Sequence, residues 1–355
     1  MIPKDRPGKL IEIRGKAIGE DTPPYIIAEM ACAHQGDPKL ARSIVDAAVQ
    51  ARADAVQFEI VDPDDNIVPG HEIYHLLRRL YFTPKQWKEI FNYTRRHDIA
   101  VFSYAYDLAS LKLALNLGSD AIKLNSSDLS NPDMIVHTAE SGLPFTLGTG
   151  ASTVEEILQA VELALGHGGD RFVLMHGVQN FPTALGDAHV NRLRLLASAF
   201  DCLVGYADHT DGNSPLSRVI DLLALGMGAT LIEKHMTLSR VDHKVDSEAA
   251  LEPEEFKEYV KTLRAAAMAL GPRRVQGLTA SDRRYRQFQK KHIVAACRIP
   301  KGARLTREMV SFLRNGSSSG LLPSQLEHLL GKCTRRDIER FEAIQPGDID
   351  SGGSQ

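Results

Sequence analysis

Two histidines in the second half of the chain have the residue type that metal chemistry requires. His209 and His235 each come at the end of a short apolar run. Neutral imidazoles are preferred ligands of divalent transition metals, and a carboxylate such as Glu29 or Asp246 would complete the shell. The alternative is that each imidazole bonds to a loop carbonyl and holds no metal. Their spacing does not decide between the two, because it is no compact motif such as HExxH.

A lysine followed by small polar residues is the candidate anion site. Lys123 opens the segment KLNSS, which places Asn125 and Ser126 close to it. A cation beside hydroxyl, amide and backbone donors suits a phosphate or a carboxylate. Gly148-Thr149-Gly150 precedes a helix-length segment and would add backbone amides at its N-terminus. The alternative for Lys123 is a salt bridge within the protein.

These residues must be positioned by a regular scaffold, and the sequence predicts one. Short apolar runs alternate with amphipathic segments of helix length, at residues 25–30, 55–60, 100–105, 121–124, 144–148, 171–176, 203–207 and 229–234. The runs are apolar on both faces, which is typical of parallel strands buried on both sides. Eight strands each followed by a helix predict an α/β fold, a (β/α)8 TIM barrel. An open doubly wound sheet is the alternative, but no GxGxxG follows the first run.

In a TIM barrel the chemistry belongs at the carboxyl ends of the strands. Polar residues do follow the apolar runs there, among them Glu29, Gln57, Glu59, Ser103, Lys123, Asn125, Ser126, Asp128, His209, Glu233 and His235. The last two runs are adjacent strands, so the imidazoles of His209 and His235 would end at the same height and approach a common point. The sequence therefore predicts that the metal and anion sites share one barrel mouth.

The tail has a different composition from the barrel. We assign residues 1–270 to the barrel and 271–290, which are basic and polar without an apolar period, to a linker. Residues 291–355 contain short strand-like runs and turn sequences, which predict a small β-rich module. A module of this size can fold when it packs on another part of the protein.

Composition excludes several classes of function. The net charge of −3 and the pI near 6.5 argue against a dedicated nucleic-acid binder. There is no run of 18 apolar residues to span a membrane, and the start of the chain is not a secretory signal. The four cysteines are scattered without a CxxC pair, so neither a disulfide framework nor a cysteine zinc site is expected. We predict a cytoplasmic enzyme that uses neither nucleic acid nor membrane.

Several blocks of the sequence resemble the sialic acid (N-acetylneuraminate) synthase family. They are YIIAEMACAHQG, AIKLNSSDLSNPDMI, LGTGAST, HGVQNFPT, VGYADHT and LIEKHMTL, followed by VDSEAALEPEEF. The tail, with IPKGARLTREMVSFLRNGSSSG, resembles the antifreeze-like (SAF) domain that ends this family. The resemblance implies condensation of phosphoenolpyruvate with an N-acetylmannosamine-type sugar aldehyde. The products would be a nine-carbon 2-keto sugar acid and phosphate.

The resemblance also implies roles for individual residues. His209 and His235 would bind Mn2+, with Mg2+ or Co2+ as alternatives, to polarise the aldehyde. An arginine of the SAF domain, Arg314 here, would reach the active site of the partner subunit, which implies a homodimer with swapped C-terminal domains. The remaining matches are the catalytic residues Glu29, Asp128 and Lys123 and the substrate-binding residues Asn125, Ser126, Gln179, Phe181 and Asp246.

This chain departs from the family pattern on three strands; after the sixth, Gly177 stands where the family usually has a cysteine. The second run carries Gln57-Phe58-Glu59 where the family has lysine, an aromatic residue and glutamine, so a phosphate-binding cation is lost and a carboxylate gained. The third run ends SYAYD, starting at Ser103, where STPFD is usual. We predict that Gln57, Glu59 and Ser103 contact substrate and that selectivity differs here.

Two other functions are consistent with the same residues. Lys123, if burial lowers its pKa, would form a Schiff base in a metal-free aldolase or lyase. Alternatively, loss of the lysine on the second strand would leave a non-catalytic protein that binds sugar acids. Retention of both histidines, Lys123, Glu29 and Arg314 argues against the non-catalytic alternative.

Overall fold

The computed structural model describes residues 10–241, 245–272, 277–316 and 319–350. The chain divides into two compact units, residues 1–273 and 274–355. We describe each unit separately.

The first unit is a closed barrel of eight parallel strands, which confirms the predicted TIM barrel. Its strands, after an N-terminal hairpin of β1 (Leu10–Ile13) and β2 (Lys16–Gly19), are β3 (Tyr25–Glu29), β4 (Ala55–Ile60), β5 (Ala100–Ala105), β6 (Ala121–Leu124), β7 (Phe145–Gly148), β8 (Phe172–His176), β9 (Leu203–Asp208) and β10 (Ala229–His235). All eight barrel strands fall within or beside the apolar runs of the sequence, because each run is buried on both faces.

Helices surround the barrel between the strands. They are α1 (Pro38–Gln50), α2 (Pro63–Asn66), α3 (Tyr74–Leu80), α4 (Pro84–Thr94), α5 (Leu108–Leu117), α6 (Pro132–Glu140), α7 (Val154–Gly166), α8 (Arg192–Phe200), α9 (Ile220–Gly226) and α10 (Pro253–Leu270). Their apolar faces and the outward residues of the strands form one continuous core. The barrel thereby excludes water from both sides of its wall, as parallel strands require.

Local sequence signals set the starts of the helices. Asp37 caps α1 by accepting from the amide of Lys39 at 2.8 Å, and proline occupies the first helical position. Thr83 and Gln86 form a reciprocal capping box at the start of α4. Each cap satisfies amide groups that would otherwise lack partners.

The N-terminal hairpin closes the amino end of the barrel. Ile11, Ile13 and Ile18 are buried in one cluster with inward residues of the strands, including Tyr25 and Phe102. This apolar floor keeps the interior dry at that end, so the polar residues lie at the opposite, carboxyl end of the strands.

The second unit is a small module with its own core. β11 (His292–Ala295) pairs antiparallel with β12 (Val310–Leu313), and isolated bridges connect further extended segments. Its buried core includes Ile293, Ile299 and Ile338. This β-rich organisation agrees with the SAF domain predicted from the sequence.

The segment predicted as a linker contains a helix. Within residues 271–290, α11 (Ala280–Gln289) begins at a capping box formed by Thr279 and Asp282, while 273–276 lie outside the described residues. The helix has no buried residues, which explains why no apolar period marked it in the sequence. Among the described residues, no helix is both long and apolar enough to cross a membrane; the cytoplasmic location stays a prediction.

Candidate active site

A cavity of about 560 Å³ opens at the carboxyl ends of the barrel strands. Nine of the residues predicted from the sequence line it, namely Glu59, Lys123, Asn125, Ser126, Gln179, Phe181, His209, His235 and Asp246. A larger cavity, about 780 Å³, lies at the amino end beside Gly19 and Thr230. It contains neither the histidines nor Lys123, so the smaller cavity is the candidate active site.

The two imidazoles meet in this cavity. The ring centroids of His209 and His235 are 5.1 Å apart, and the ring of Phe181 lies 4.6 Å and 5.6 Å from them. The Val178 carbonyl lies 2.8 Å from Nδ1 of His209. A proton on Nδ1 donates to that carbonyl and leaves Nε2 as a free lone pair.

Burial favours the neutral form of both imidazoles. Burial lowers the pKa of His209. Burial lowers the pKa of His235 still further, and the neighbouring His209 and Lys123 act in the same direction. Neutral rings are the form that binds metal, so the pair fits a divalent ion.

The predicted carboxylate ligand is not part of the cluster. Within 10–241, 245–272, 277–316 and 319–350, no group of three or more histidine, cysteine, aspartate or glutamate side chains could hold a metal ion. Glu29 instead accepts from the amide of Ala31 at 2.9 Å, and Asp246 interacts with Cys32. A metal held by the two imidazoles would keep open positions for substrate or water.

Lys123 is the cation of the site and is paired with two carboxylates. Its ammonium lies 2.6 Å from Glu233 and 3.5 Å from Glu29. All three side chains are buried inside the barrel. This salt bridge, which the sequence left open as an alternative, leaves part of the ammonium's donor capacity for a ligand.

The charges around Lys123 disfavour Schiff-base chemistry. Burial by itself lowers the pKa of Lys123, but Glu233 and Glu29 together raise it above its ordinary value. The amine is therefore held as an ammonium, whereas a nucleophilic lysine needs a lowered pKa. This electrostatic setting is the opposite of the one that the aldolase alternative requires.

Glu29 is poised to exchange a proton near neutral pH. Burial raises its pKa to about 7, against the opposing effect of the Lys123 ammonium. A carboxyl group with a pKa near the working pH is suited to general acid–base catalysis.

Glu59 presents a carboxyl group to another part of the cavity. It accepts from the Tyr106 hydroxyl at 3.0 Å, and Cys32 lies 4.0 Å away. Burial, together with the carboxylates of Glu29 and Asp246, raises the pKa of Glu59 well above its ordinary value. The side chain therefore changes charge at a higher pH than an exposed glutamate does.

The candidate anion site around Asn125 and Ser126 is shaped by close backbone packing. Asn125 accepts from the amide of Ser126 at 2.7 Å and donates to the Tyr104 hydroxyl at 3.0 Å. A Cβ on Gly148 would lie 2.6 Å from the amide nitrogen of Ser126, and one on Gly150 would lie 2.6 Å from a carbonyl oxygen. Glycine is therefore required at both positions to bring these loops together.

Besides the fully buried Glu29, which contacts Lys123, three predicted barrel residues do not line the cavity. Ser103 faces the helices, where its hydroxyl lies 2.6 Å from that of Ser119. Gln57 is fully buried deeper in the barrel, and neither amide atom has a hydrogen-bond partner among the described residues. Asp128 lines a separate cleft and accepts from Asn131 at 3.0 Å. The predicted substrate contacts of Ser103 and Gln57 and the predicted catalytic role of Asp128 are not supported by these positions.

Arg314 belongs to the second unit, directly after β12, and is exposed there. Its predicted role in a partner's active site stays a prediction.

Several residues of the site, including Glu233 and Tyr104, were given no role from the sequence. Glu233 lies two positions before His235 on β10, so strand alternation places both side chains on the inner face. Tyr104 follows Ser103 and points inward where Ser103 points outward. The inward orientation of Glu233 could have been predicted, because a residue two positions before an inward-facing histidine on a strand also faces inward.

Comparison with known proteins agrees with this architecture. The NeuB family matches residues 44–274 and the SAF domain matches residues 291–350. An uncharacterised protein of Methanocaldococcus jannaschii is 30% identical over 339 residues, covering 96% of this chain and 98% of that protein.

Two named relatives carry the comparison further. N,N'-diacetyllegionaminic acid synthase of Legionella pneumophila is 28% identical, covering 89% of this chain and 92% of the relative. A solved N-acetylneuraminic acid (sialic acid) synthetase from Leptospira borgpetersenii, in complex with citrate, is 28% identical with a TM-score of 0.73. The match covers 78% of this chain and 94% of the synthetase chain. The barrel, its tail and the match over most of the sequence together place this chain in the NeuB family.

Proposed function

We propose that this protein condenses phosphoenolpyruvate with the open-chain aldehyde of an N-acetylmannosamine-type sugar. The products are a nine-carbon 2-keto sugar acid and inorganic phosphate. The chain is thus a carbon–carbon bond-forming transferase of a family whose named relatives are sugar acid synthases. The observation that carries the proposal is the convergence of Lys123, Asn125 and Ser126 with two neutral imidazoles in one cavity.

The donor binds at the end of the cavity that carries Lys123. The ammonium, already held by Glu233 and Glu29, offers its remaining N–H to the donor's anionic groups. Asn125 and Ser126 add polar atoms beside it. Because the carboxylates fix the lysine, it enters the reaction already oriented.

The acceptor aldehyde lies at the histidine end. His209 and His235 would hold a divalent ion, Mn2+, Mg2+ or Co2+, which when bound supplies Lewis-acid polarisation of the aldehyde oxygen. Phe181 packs against both imidazoles, and Gln179 and Asp246 line the same cavity, where the three side chains would orient the sugar chain. Carbon 3 of the donor then forms the new bond to the aldehyde carbon.

The remaining steps need proton transfer. Water adds at carbon 2 of the donor, phosphate leaves, and the 2-keto group forms. Glu29, with its pKa near 7, can hold or release a proton at the buried centre of the site.

Phosphate release on mixing tests the proposal. The purified protein should release phosphate from phosphoenolpyruvate only when a 2-acetamido sugar and a divalent ion are both present. A panel of mono- and diacetamido sugars would identify the acceptor. Absence of phosphate release with every acceptor and metal would reject the synthase and favour the non-catalytic sugar-acid-binding alternative.

Replacing Glu59 should strengthen donor binding in a pH-dependent way. Below its raised pKa Glu59 is neutral, and above it the carboxylate repels the phosphoenolpyruvate anion. Glu59→Gln should therefore lower the KM for phosphoenolpyruvate most at high pH, by about 1 kcal/mol or roughly fivefold. Steady-state KM values from pH 6 to 9 measure this. Asp128→Asn is the matched control, since Asp128 lines another cleft, and equal responses would contradict the assignment.

The swapped homodimer is also a proposal, supported by the resemblance of the tail. Arg314→Ala and His209→Ala should each inactivate their own homodimer. A heterodimer purified through two different tags should regain about half of the wild-type activity, because one site combines an intact barrel with an intact Arg314. If each barrel uses its own Arg314, the heterodimer stays inactive and the swap is wrong.

A further inference from the structure

The outer face of the strands that bear the imidazoles carries a buried ion pair. Lys234 of β10 and Asp208 of β9 are register partners, and their side chains have no solvent exposure. The ammonium donates to Asp208 and, at 2.8 Å, to the carbonyl of Ser217. Asp221 of α9 lies 3.8 Å away. Because an apolar pair of similar volume is often as stable as a buried ion pair, stability alone does not explain these charges.

Each member of the pair directly precedes one of the two histidines. Side chains alternate along a strand, so His209 and His235 point into the barrel while Asp208 and Lys234 point toward the helices. The ion pair therefore joins the two strands one residue before each imidazole.

Asp208 also fixes the chain beyond His209. Its carboxylate accepts from the Thr210 hydroxyl at 2.8 Å and from the Thr210 amide at 3.2 Å. Thr183 donates its amide to the His209 carbonyl at 2.8 Å. Hydrogen bonds thus hold the backbone at His209 and at Thr210.

We infer that Lys234 and Asp208 are positioning residues that hold His209 and His235 at the separation needed to share one divalent ion. The inference rests on the proposed function, because it assigns the pair a role only if the two imidazoles bind metal. Ligand orientation by surrounding hydrogen bonds typically changes metal affinity 10- to 100-fold.

The test is metal affinity in a variant that keeps the shape of the pair. Asp208→Asn retains side-chain volume, and Lys234 keeps Asp221 and the Ser217 carbonyl as partners. Titration of the metal-free protein with Mn2+, followed by the electron paramagnetic resonance signal of the free ion, should show affinity lower by about 10- to 100-fold. The combined variant Asp208→Asn with Lys234→Met should show at least the same loss. Thermal unfolding of the metal-free proteins reports folding independently.

A structural ion pair at another site provides the control. Arg264 lies 3.0 Å from Asp54, and Arg264→Met should lower stability while leaving Mn2+ affinity unchanged. Unchanged affinity in folded Asp208→Asn, an equal loss in Arg264→Met, or failure of both pair variants to fold would each overturn the positioning role. Failure of the wild-type protein to bind Mn2+ would instead refute the proposed metal use.

Discussion

Replacing His209 or His235 with alanine should remove bound metal and nearly all turnover. Lewis-acid polarisation of the aldehyde contributes several kcal/mol to the transition state, so kcat should fall by about a thousandfold or more. The barrel should stay folded, because both rings line a cavity and not the apolar core. Elemental analysis, kcat and thermal unfolding of both variants measure the three effects.

A neighbouring histidine outside the cavity is the matched control. His176 ends β8, is buried, and lies 2.9 Å from the carbonyl of Ala188 through Nε2. His176→Ala should lose stability but retain its metal. A full equivalent of metal in both His209→Ala and His235→Ala, or full wild-type activity after exhaustive chelation, would show that the imidazoles do not form the metal site.

Replacing Lys123 should also lower activity, through loss of the donor site. Lys123→Met should lower kcat/KM for phosphoenolpyruvate by about 100-fold, since charge-assisted bonds to an anion contribute about 3 kcal/mol. It also leaves Glu29 and Glu233 without their buried cation, which should lower the free energy of unfolding by about 3 kcal/mol or more. The double variant with Glu233→Gln should recover stability but not activity.

A trapping experiment separates this role from covalent catalysis. Because the pKa of Lys123 is raised by its carboxylate partners after the opposing effect of burial, the amine stays protonated. Pyruvate and borohydride should therefore leave wild-type Lys123 unmodified by mass spectrometry. A stable adduct on Lys123, with activity that survives chelation, would restore the aldolase alternative.

The barrel could be predicted because strands that are buried on both sides leave a strong apolar pattern in the sequence. Runs such as 55–60 and 100–105 became strands with the same bounds. His209 and His235 could be placed together because adjacent strands of a closed barrel end at the same rim. The family resemblance is confirmed by the NeuB and SAF matches.

Because the strands are buried on both sides, the sequence did not show which of their residues face into the barrel. In AVFSYA both faces are apolar, so nothing in the pattern shows that Tyr104 points inward and Ser103 outward. The side chain of Gln57 points into the barrel but lies too deep to line the cavity. Nothing in the sequence indicates how deep in the barrel a residue lies. Asp128 follows β6 in a short 3-10 helix, whose path into a separate cleft no periodicity could predict. Strand parity, depth in the barrel and the path of the loop, and not residue type, decide these positions.

The seam between β3 and β10 has a consequence for how the protein is made. These strands pair in register, with His235 beside Glu29, although they come from opposite ends of the barrel sequence. During synthesis one edge of β3 stays unpaired until β10 has left the ribosome. Pairing between such distant segments is slow, and exposed apolar edges favour aggregation in the meantime. Since the last strand also brings His235, the candidate active site is complete only when the barrel closes.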